Sequence, residues 1–188
     1  MDPAEAKRRL RAEMRHRLAA LAPARRALEE ELVTAAVQDT PEWRAARIVL
    51  LYRNLPGEWS TVGLTNGAWR AGKSVAMPRI AGPGQLALHL VQAWTDLRPA
   101  SFGIHEPAAN LPRITAGEVD LAIVPALAWG RDGTRLGRGG GFYDRLLPNL
   151  RPGMAWGVGF DVQVLSDIPV QAHDARVARV WHAAALGA

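Results

Sequence analysis

Short apolar runs alternate with helical patterns along this chain, and this alternation limits the fold more than any other feature. Residues 4–20 repeat apolar side chains at helical spacing, and 23–38 and 60–71 give two further helices. We interpret the short apolar, β-branched runs as strands: 48–52, 74–77, 86–91, 119–124, 155–160 and 177–181. Helices alternating with strands predict a single α/β domain with a mostly parallel central sheet flanked by helices.

The composition is that of an ordinary globular protein and excludes several classes of function. Apolar residues make up 48% of the chain and charged residues 22%, which argues against disorder. No cysteine is present, so disulfides, thiolate catalysis and zinc–thiolate sites are excluded. The apolar runs are too short to span a bilayer, and the N-terminus lacks the apolar stretch of a signal peptide. We expect a cytoplasmic monomer without a membrane partner.

Residues 133–141 form a glycine-rich loop that follows the predicted strand 119–124. Four of the five residues 137–141 are glycines, which let the backbone adopt positive φ and approach a ligand closely. Consecutive backbone N–H groups there can bind an anion, and the helix that begins after the loop adds its positive end. Ligands of parallel sheets sit beyond the carboxyl ends of the strands, so we expect the loop at that edge. The proline-containing segment 98–118 is expected to be loop and is interpreted as a cover over the site, with a domain linker as the alternative.

Charged side chains flank the loop. Arg135, Arg138 and Arg145 can neutralise phosphate oxygens, because guanidinium groups grip phosphate with two hydrogen bonds. Asp144 adds a carboxylate of the kind that Mg²⁺ prefers. Together these groups predict a nucleoside triphosphate site. The alternative is a flexible turn whose charges face water, and the interleaved arginines favour the nucleotide site.

A second segment matches a phosphate-binding pattern in its letters only. Residues 67–74 fit G-x-x-x-x-G-K-[ST], but a true loop of this type follows a strand and precedes a helix. Here a predicted helix precedes the segment and a predicted strand follows it. We therefore interpret Gly72 as a helix stop and Lys73 as a charge at a strand edge.

The region around the glycine loop resembles the signature of the 5-formyltetrahydrofolate cyclo-ligase family. Residues 124–129 read V-P-A-L-A-W where the family has V-P-G-L-A-F, and 133–145 follow its G-x-R-L-G-x-G-x-G-Y-Y-D-R pattern with one exchange. Shorter matches agree in order and spacing: Lys7 to Arg11, Tyr52 followed by Glu58, Gly103 to Pro107, and His173 with Asp174. The resemblance therefore spans almost the whole chain.

The resemblance implies where ATP and Mg²⁺ bind. Lys7 and Arg11 resemble the N-terminal basic pair that reaches the phosphates of ATP, whereas a solvated amphipathic helix is the alternative. The rest of the ATP cradle would consist of Arg135, Gly137, Arg138, Gly139, Gly140, Gly141, Phe142, Tyr143 and Arg145. Asp144 resembles the Mg²⁺ ligand and Asp174 a second acid, with a cap of a helix or strand as the alternative for Asp174.

The resemblance also implies the substrate and the reaction. Glu58 resembles the carboxylate that pairs with the polar edge of the pterin, Phe102 the aromatic residue near the folate, and Tyr143 a further substrate contact. We assign Arg145 and Tyr143 as catalytic residues. The implied reaction converts 5-formyltetrahydrofolate to 5,10-methenyltetrahydrofolate with release of ADP and phosphate. The protein then mainly positions the reactants and offsets charge on the moving phosphoryl group.

The chain departs from the family pattern at several positions. Phe142 replaces the first tyrosine of the usual pair, which removes one hydroxyl group. Gly130 stands where an aspartate often follows the aromatic residue, and Asp132 is a candidate substitute. These changes affect the predicted substrate preference more than the predicted ATP site.

Two other functions remain open. A net charge of +5 and seven tryptophans fit a nucleic-acid-binding module, since arginines interleaved with aromatic residues can hold single strands. The tryptophans are scattered along the chain, however, which favours a small-molecule substrate over nucleic acid. A related ATP-dependent ligase or kinase with another substrate is the second alternative, because a fold does not fix its substrate.

Overall fold

The computed structural model describes residues 2–100 and 103–187. The helices are α1 (Pro3–Ala19), α2 (Pro23–Asp39), α3 (Pro41–Ala45), α4 (Val62–Arg70) and α5 (Phe142–Leu146). The strands are β1 (Ile48–Leu50), β2 (Ser74–Gly82), β3 (Gln85–Val91), β4 (Leu97–Pro99), β5 (His105–Pro107), β6 (Arg113–Ile114), β7 (Leu121–Val124), β8 (Ala128–Gly130), β9 (Arg135–Leu136), β10 (Ala155–Val158), β11 (Val164–Leu165) and β12 (Arg179–Trp181). Helices α1, α2 and α4 and the six predicted strands are therefore confirmed, with shifted ends.

The first three helices begin in the same way, at a proline that needs no N–H partner in the first turn. The Asp2 side chain caps α1 by accepting a hydrogen bond from the backbone N–H of Ala4 at 3.1 Å. Thr40 caps α3 through its hydroxyl, which accepts from the N–H of Trp43 at 3.1 Å. These local signals fix where α1 and α3 start.

Seven strands of the described chain form one sheet in the order β12-β10-β7-β1-β2-β3-β6. The first five strands in this order are parallel to their neighbours, and β3 and β6 continue the sheet in antiparallel pairing. The expected α/β fold with a mostly parallel sheet is thus confirmed. Two smaller sheets, β11-β8-β9 and β4-β5, lie beside the large one.

Both faces of the large sheet are buried, as expected for parallel strands. On one face, Val49 and Ile123 pack in a cluster with side chains of α1, α2 and α4. On the other face, Leu50 and Val124 pack in a second cluster with Leu146 of α5. Alternate residues of each strand therefore serve opposite layers, and the sheet is the middle layer of three.

The order of the strands reverses at β1, because β2 lies on one side of it and β7 on the other. The loops that leave the carboxyl ends of β1 and β7 consequently run in opposite directions and leave a crevice between them. Such crevices are where open α/β sheets bind their ligands. Residues 52–53 follow β1 at this crevice and residues 125–126 follow β7, and both pairs line the main cavity.

Two details of the sequence interpretation are corrected here. Strand β2 was expected to stop at Pro78, which is wrong, because the strand continues to Gly82. The pairing of β2 with β1 ends at Ala76, so Pro78 does not need an N–H group to bond β1. On the other side, β2 stays paired with β3 through this stretch. The segment 98–118 was expected to be loop, yet it contains β5, β6 and part of β4.

The interpretation of residues 67–74 as something other than a phosphate loop is confirmed. Gly72 adopts φ +71° directly after α4, and the N–H of Lys73 bonds back to the carbonyl of Ala68 at 2.9 Å, which closes the helix. The Lys73 ammonium group donates to the carbonyls of Arg44 and Ala46. These groups complete a helix end and a strand start, and they do not face the main cavity.

Candidate active site

A cavity of about 340 Å³ lies at the crevice between β1 and β7. The sheet supplies its floor, the end of α1 nearest the N-terminus contributes Lys7 and Arg11, and the glycine loop 137–141 forms one wall. Residues from the segment 104–106 and from 171–174 close the remaining sides. The segment expected to cover the site therefore does line it, through Ile104, His105 and Glu106.

The glycine loop is held by side chains that approach its backbone. Arg11 donates from Nε to the carbonyl of Gly137 at 2.8 Å, which ties the loop to α1. A Cβ atom at Gly137 would lie 2.7 Å from the guanidinium of Arg135, so a larger residue there would push this arginine aside. Gly139 and Gly141 adopt φ +109° and +65°, values that side chains disfavour. The bend therefore depends on glycine at these three positions.

Three ion pairs lie along the cavity, and each joins a predicted ligand-binding cation to a predicted acidic residue. The ammonium of Lys7 donates to Asp174 Oδ1 at 2.7 Å. Arg135 Nη2 donates to Asp144 Oδ1 at 2.6 Å, and Arg138 Nε donates to Glu58 Oε1 at 2.6 Å. We call these contacts the cavity pairs. Every carboxylate that the sequence assigned to metal or substrate thus has a cationic partner.

Arg135 also has a donor that remains unsatisfied. Its side chain is only 4% exposed, and its Nε is buried without a hydrogen-bond partner in the described structure. The guanidinium lies 5.7 Å from the centroid of the Tyr143 ring. A buried N–H without a partner costs free energy, so Arg135 would gain a hydrogen bond if its side chain turned toward an acceptor.

The ionisation of groups in the cavity follows from these contacts. Burial acts to raise the pKa of Asp174, but hydrogen bonds from Lys7 and from the N–H of Gln171 outweigh it and hold the pKa below its usual value. Burial raises the pKa of the Tyr143 hydroxyl, and the negative charge of Glu58 raises it further. Tyr143 is therefore a neutral hydrogen-bonding group at physiological pH, and it does not supply a phenolate.

Arg145 lies away from the other predicted cradle residues. Its guanidinium donates to the carbonyls of Gly140 and Gly141 at 3.4 and 3.1 Å, and it sits against Gly84 at the tip of the β2–β3 hairpin. It lines a second pocket on the other side of the loop and is not among the residues lining the main cavity. The structure therefore does not bring Arg145 together with Arg135 and Arg138. Its catalytic assignment remains a prediction without support from this geometry.

Two further predicted site residues are Asp132 and Phe102. Asp132 accepts hydrogen bonds from Thr134 and pairs with Arg176 at 2.8 Å, and it does not line the cavity. A Cβ atom at Gly130 would clash with Thr134 and Asp132, which explains the glycine at that position. Phe102, the predicted aromatic neighbour of the folate, lies outside the described residues.

Glu58 is positioned by its own turn. Its Oε2 accepts from the N–H of Leu55 at 2.8 Å, and its side chain is 9% exposed at the cavity wall. Apolar side chains border the same part of the cavity: Leu55, Pro78, Ile80, Leu86, Ile104 and the ring of Phe142. One carboxylate beside an apolar wall suits a flat heterocycle that carries N–H donors on one edge.

Sequence reasoning missed Glu106, a buried carboxylate at the cavity. Glu106 accepts from the N–H of Ile80 at 3.1 Å and lies 3.6 Å from Arg79, whose guanidinium also bonds the carbonyl of Pro107. These bonds dock β5 onto β2 and bring Ile104 to the wall. The match of residues 103–107 to a family motif marked this position, but the partners of Glu106 could not be read from it.

Asp144 and Asp174, the two carboxylates that were expected to bind metal, lie close to each other in the fold. Asp144 Oδ1 accepts from the N–H of Ala175 at 3.3 Å, so it lies beside Asp174. Among residues 2–100 and 103–187, no group of three or more histidine, aspartate or glutamate side chains could hold a metal ion. A site for Mg²⁺ here would therefore take one or two carboxylates from the protein and its other ligands from phosphate and water, as Mg²⁺ commonly does.

The tryptophans that fitted a nucleic-acid-binding module are buried or half-buried within the fold. Four tryptophans are buried, namely Trp43, Trp59, Trp129 and Trp156, and the other three are half-buried. Arg179 lies against both Trp156 and Trp181, at 5.2 and 5.1 Å from the ring centroids. Within the part of the chain that the structure describes, no helix has both the length and the apolar character needed to cross a membrane.

Comparisons with known proteins point to one enzyme family. The model of the 5-formyltetrahydrofolate cyclo-ligase family matches residues 3–183. A 5-formyltetrahydrofolate cyclo-ligase from Haemophilus influenzae is 30% identical over 173 residues, which cover 89% of this chain and 92% of that relative. One from Mycolicibacterium smegmatis is 35% identical over 143 residues, which cover 72% of this chain and 73% of that relative.

Two solved structures have a fold similar to that of this chain. The 5,10-methenyltetrahydrofolate synthetase of Aquifex aeolicus is similar with a TM-score of 0.83 and 30% identity, over 93% of this chain and 88% of that one. A 5,10-methenyltetrahydrofolate synthetase from Mycoplasma pneumoniae is similar with a TM-score of 0.76 over 97% of this chain and 99% of that one. At 15% identity, the second similarity supports the fold alone.

Proposed function

Since this chain belongs to the 5-formyltetrahydrofolate cyclo-ligase family, we propose that it converts 5-formyltetrahydrofolate to 5,10-methenyltetrahydrofolate in the cavity described above. ATP is the second substrate, and ADP and phosphate are released. The observation that carries this proposal is the convergence of Lys7, Arg11, Arg135 and Arg138 on a glycine loop, with one buried guanidinium N–H left unpaired. Four cations around a backbone bend suit a triphosphate.

The triphosphate lies along the loop 137–141 in this proposal. Lys7, Arg135 and Arg138 exchange their carboxylate partners for phosphate oxygens, and Arg11 keeps the loop in place through Gly137. Helix α5 has only five residues, so its dipole adds little, and the side chains provide most of the positive charge. Arg145 supports the loop from outside through the carbonyls of Gly140 and Gly141.

The acidic residues fit a Mg²⁺ ion that accompanies the nucleotide. Asp144 and Asp174 lie at the cavity, and each would give up its cationic partner when phosphate oxygens attract that cation. Mg²⁺ in such a site would neutralise charge on the phosphate oxygens. The two carboxylates also keep Lys7 and Arg135 extended toward the cavity before a ligand arrives.

The folate binds on the side of Glu58. The carboxylate accepts hydrogen bonds from the N–H edge of the pterin, and the apolar wall that includes Ile80 and Phe142 packs against its rings. Tyr143, which stays protonated, can donate its hydroxyl hydrogen to the substrate. The formyl group then faces the triphosphate across the same cavity.

The chemistry requires activation of a formyl oxygen. The oxygen of the formyl group on N5 attacks the γ-phosphate, a P–O bond forms, and the bond to ADP breaks. N10 then attacks the formyl carbon and loses its proton, and the C–O bond breaks as inorganic phosphate leaves. Arg135 and Lys7 offset charge on the phosphoryl group, and Glu58 holds the pterin so that the reacting atoms stay close.

The experiment is direct incubation of the purified protein with ATP, Mg²⁺ and 5-formyltetrahydrofolate. We expect the absorbance of the methenyl product to appear together with one equivalent of ADP, and to stop when ATP is omitted. ATP turnover that needs a different acceptor would favour a related ligase or kinase. Salt-dependent binding of RNA without any ATP turnover would favour the nucleic-acid alternative, and either result would refute the proposed reaction.

A further inference from the structure

The contact between Arg138 and Glu58 joins the two halves of the cavity. Arg138 belongs to the loop assigned to the triphosphate, and Glu58 belongs to the wall assigned to the pterin, 80 positions earlier in the chain. Their side chains meet at 2.6 Å between Nε and Oε1, with Glu58 9% exposed and Arg138 41% exposed. The other two cavity pairs link cations and acids that are both assigned to the nucleotide side.

The two partners differ in how firmly they are held. Glu58 has its second oxygen fixed by the N–H of Leu55 at 2.8 Å, so its carboxylate keeps its place. Arg138 stands between Gly137 and Gly139 and is the more exposed partner. Among the described residues, its side chain forms one hydrogen bond, which is to Glu58. When the pair separates, Arg138 is therefore the side chain that moves.

A ligand on either side competes for this contact. A pterin that donates hydrogen bonds to Glu58 approaches a carboxylate that already accepts from Arg138 and from the N–H of Leu55, so it competes with the guanidinium for this carboxylate. A triphosphate attracts the guanidinium, which has only donors and suits phosphate oxygens. Removal of Arg138 from Glu58 by one ligand thus prepares the cavity for the other.

We propose that Arg138 is a positioning residue that couples the two substrates: pterin bound at Glu58 releases the Arg138 guanidinium to the triphosphate, and each substrate tightens the binding of the other. This inference rests on the proposed function. Each ligand alone must break the ion pair, whereas the second ligand finds it already broken. By linkage, the factor must be the same in both directions.

The test measures the affinity for a non-hydrolysable ATP analogue with Mg²⁺ by calorimetry, with and without 5-formyltetrahydrofolate. In the unchanged protein we expect the folate to lower the Kd of the analogue about tenfold, and the analogue to lower the Kd of the folate by the same factor. In Arg138→Ala this factor should fall to about one. Arg138→Lys keeps the charge without the planar fork and should restore part of the coupling.

Glu58→Gln provides a readout with the opposite sign. This change removes the negative charge that holds Arg138, so the affinity for the ATP analogue without folate should rise several-fold, on the order of threefold to tenfold. A merely structural role for the pair would lower that affinity. The surface pair Arg44–Asp39 offers matched controls, since Arg44→Ala and Asp39→Asn make the same changes of charge on exposed side chains. Neither control should alter the coupling factor.

The outcomes separate this inference from the proposed function. If both ligands bind to the unchanged protein but their affinities are independent, the coupling is refuted while the proposed function stands. If Arg138→Ala keeps the full coupling, or Glu58→Gln binds the analogue more weakly, the role of Arg138 is refuted. If neither ligand binds, both the function and this inference fail.

Discussion

Two regions of this protein pair partly or fully buried acidic side chains with basic partners, and only one of them lines the main cavity. The cavity pairs link Lys7 to Asp174 over 167 positions and Arg138 to Glu58 over 80. The second region, which we call the C-terminal cluster, consists of Arg25, Glu29, Asp161 and His182. Both regions combine burial, ion pairing and long-range contacts.

The C-terminal cluster is saturated by protein groups. Asp161 accepts from the N–H of Ala184 at 2.8 Å and from Arg25 at 2.9 Å, and it lies 2.9 Å from Nδ1 of His182. Glu29, which is 2% exposed, accepts from Arg25 and from the N–H of Asp161. These contacts fasten the last turn of the described chain to α2 and to the segment after β10.

The comparison teaches that pairing alone does not identify a functional site. In the C-terminal cluster, backbone N–H groups complete the acceptors, and its four residues line neither the main cavity nor the second pocket described above. Beside the cavity pairs, Arg135 keeps an unsatisfied donor, and both partners of each pair line open space. An ion pair in which a ligand can replace one partner marks the candidate site. An ion pair that protein groups alone complete holds parts of the fold together.

The largest expected effect separates the two regions by activity. Asp144→Asn should lower turnover at least about a hundredfold, because it removes a carboxylate proposed to hold the Mg²⁺ ion that accompanies the triphosphate. Steady-state formation of the methenyl product at 25 °C measures this, with circular dichroism to confirm that the variant is folded. Asp132→Asn is the control, since Asp132 does not line the cavity. Turnover of Asp144→Asn within a factor of three of the unchanged protein would contradict the assignment of Asp144.

The next effect concerns stability in the C-terminal cluster. Asp161→Ala should lower the free energy of unfolding by about 2 kcal/mol, because it leaves the N–H of Ala184 and the side chains of Arg25 and His182 without their acceptor. Its turnover at 25 °C should stay close to that of the unchanged protein. Urea unfolding measures the loss, and Asp39→Ala on the exposed surface should change the free energy of unfolding by less than about 0.5 kcal/mol. A strong loss of turnover in a folded Asp161→Ala variant would abolish the distinction between the regions.

A smaller effect tests whether a cavity pair is replaceable. Mg-ATP at a hundred times its Kd should stabilise the unchanged protein by about 2.7 kcal/mol. Lys7→Ala should bind the nucleotide about tenfold more weakly, so the same concentration should stabilise it by about half as much. Thermal unfolding with and without Mg-ATP measures both values. Equal stabilisation of the two proteins would remove Lys7 from the nucleotide site.

The smallest effect is in the pH dependence of stability. The folded pKa of Asp174 lies below its unfolded value, so the carboxylate contributes stability above the unfolded pKa and loses it as the pH falls through the folded pKa. Asp174→Asn cannot lose this contribution. Its free energy of unfolding should therefore fall less steeply than that of the unchanged protein between about pH 5 and pH 2. Parallel curves from urea unfolding at each pH would show that the ion pair with Lys7 does not stabilise the fold.

Much of the fold could be predicted because its signals are local. Helix α1 shows helical spacing in Leu10, Met14 and Leu18, and the buried strands are short β-branched runs. The continuation of β2 through Pro78 could not be predicted. It depends on the pairing of β2 with β3, and on the end of the pairing with β1 at Ala76, before Pro78 is reached. The small sheet of β8, β9 and β11 has strands too short to give a periodic signal.

The candidate site could be predicted in its members but not in its arrangement. The glycine loop and its charged neighbours stand together in the sequence, and most of them line the cavity. The direction of Arg145 is set by side-chain packing against Gly84, which no local pattern encodes. The partners of Glu58 and Asp174 depend on which distant residues the sheet brings close, so the cavity pairs had no signal in the sequence.

The position of Arg145 has a consequence for how this family member can change. The guanidinium fastens the glycine bend from its outer side, by way of Gly140, Gly141 and the β2–β3 hairpin. Arg145 therefore supports the shape of the bend without contributing to the chemistry of its inner surface. Position 138 can exchange its side chain, and with it the ligand preference of the pocket, while the architecture that presents it stays intact.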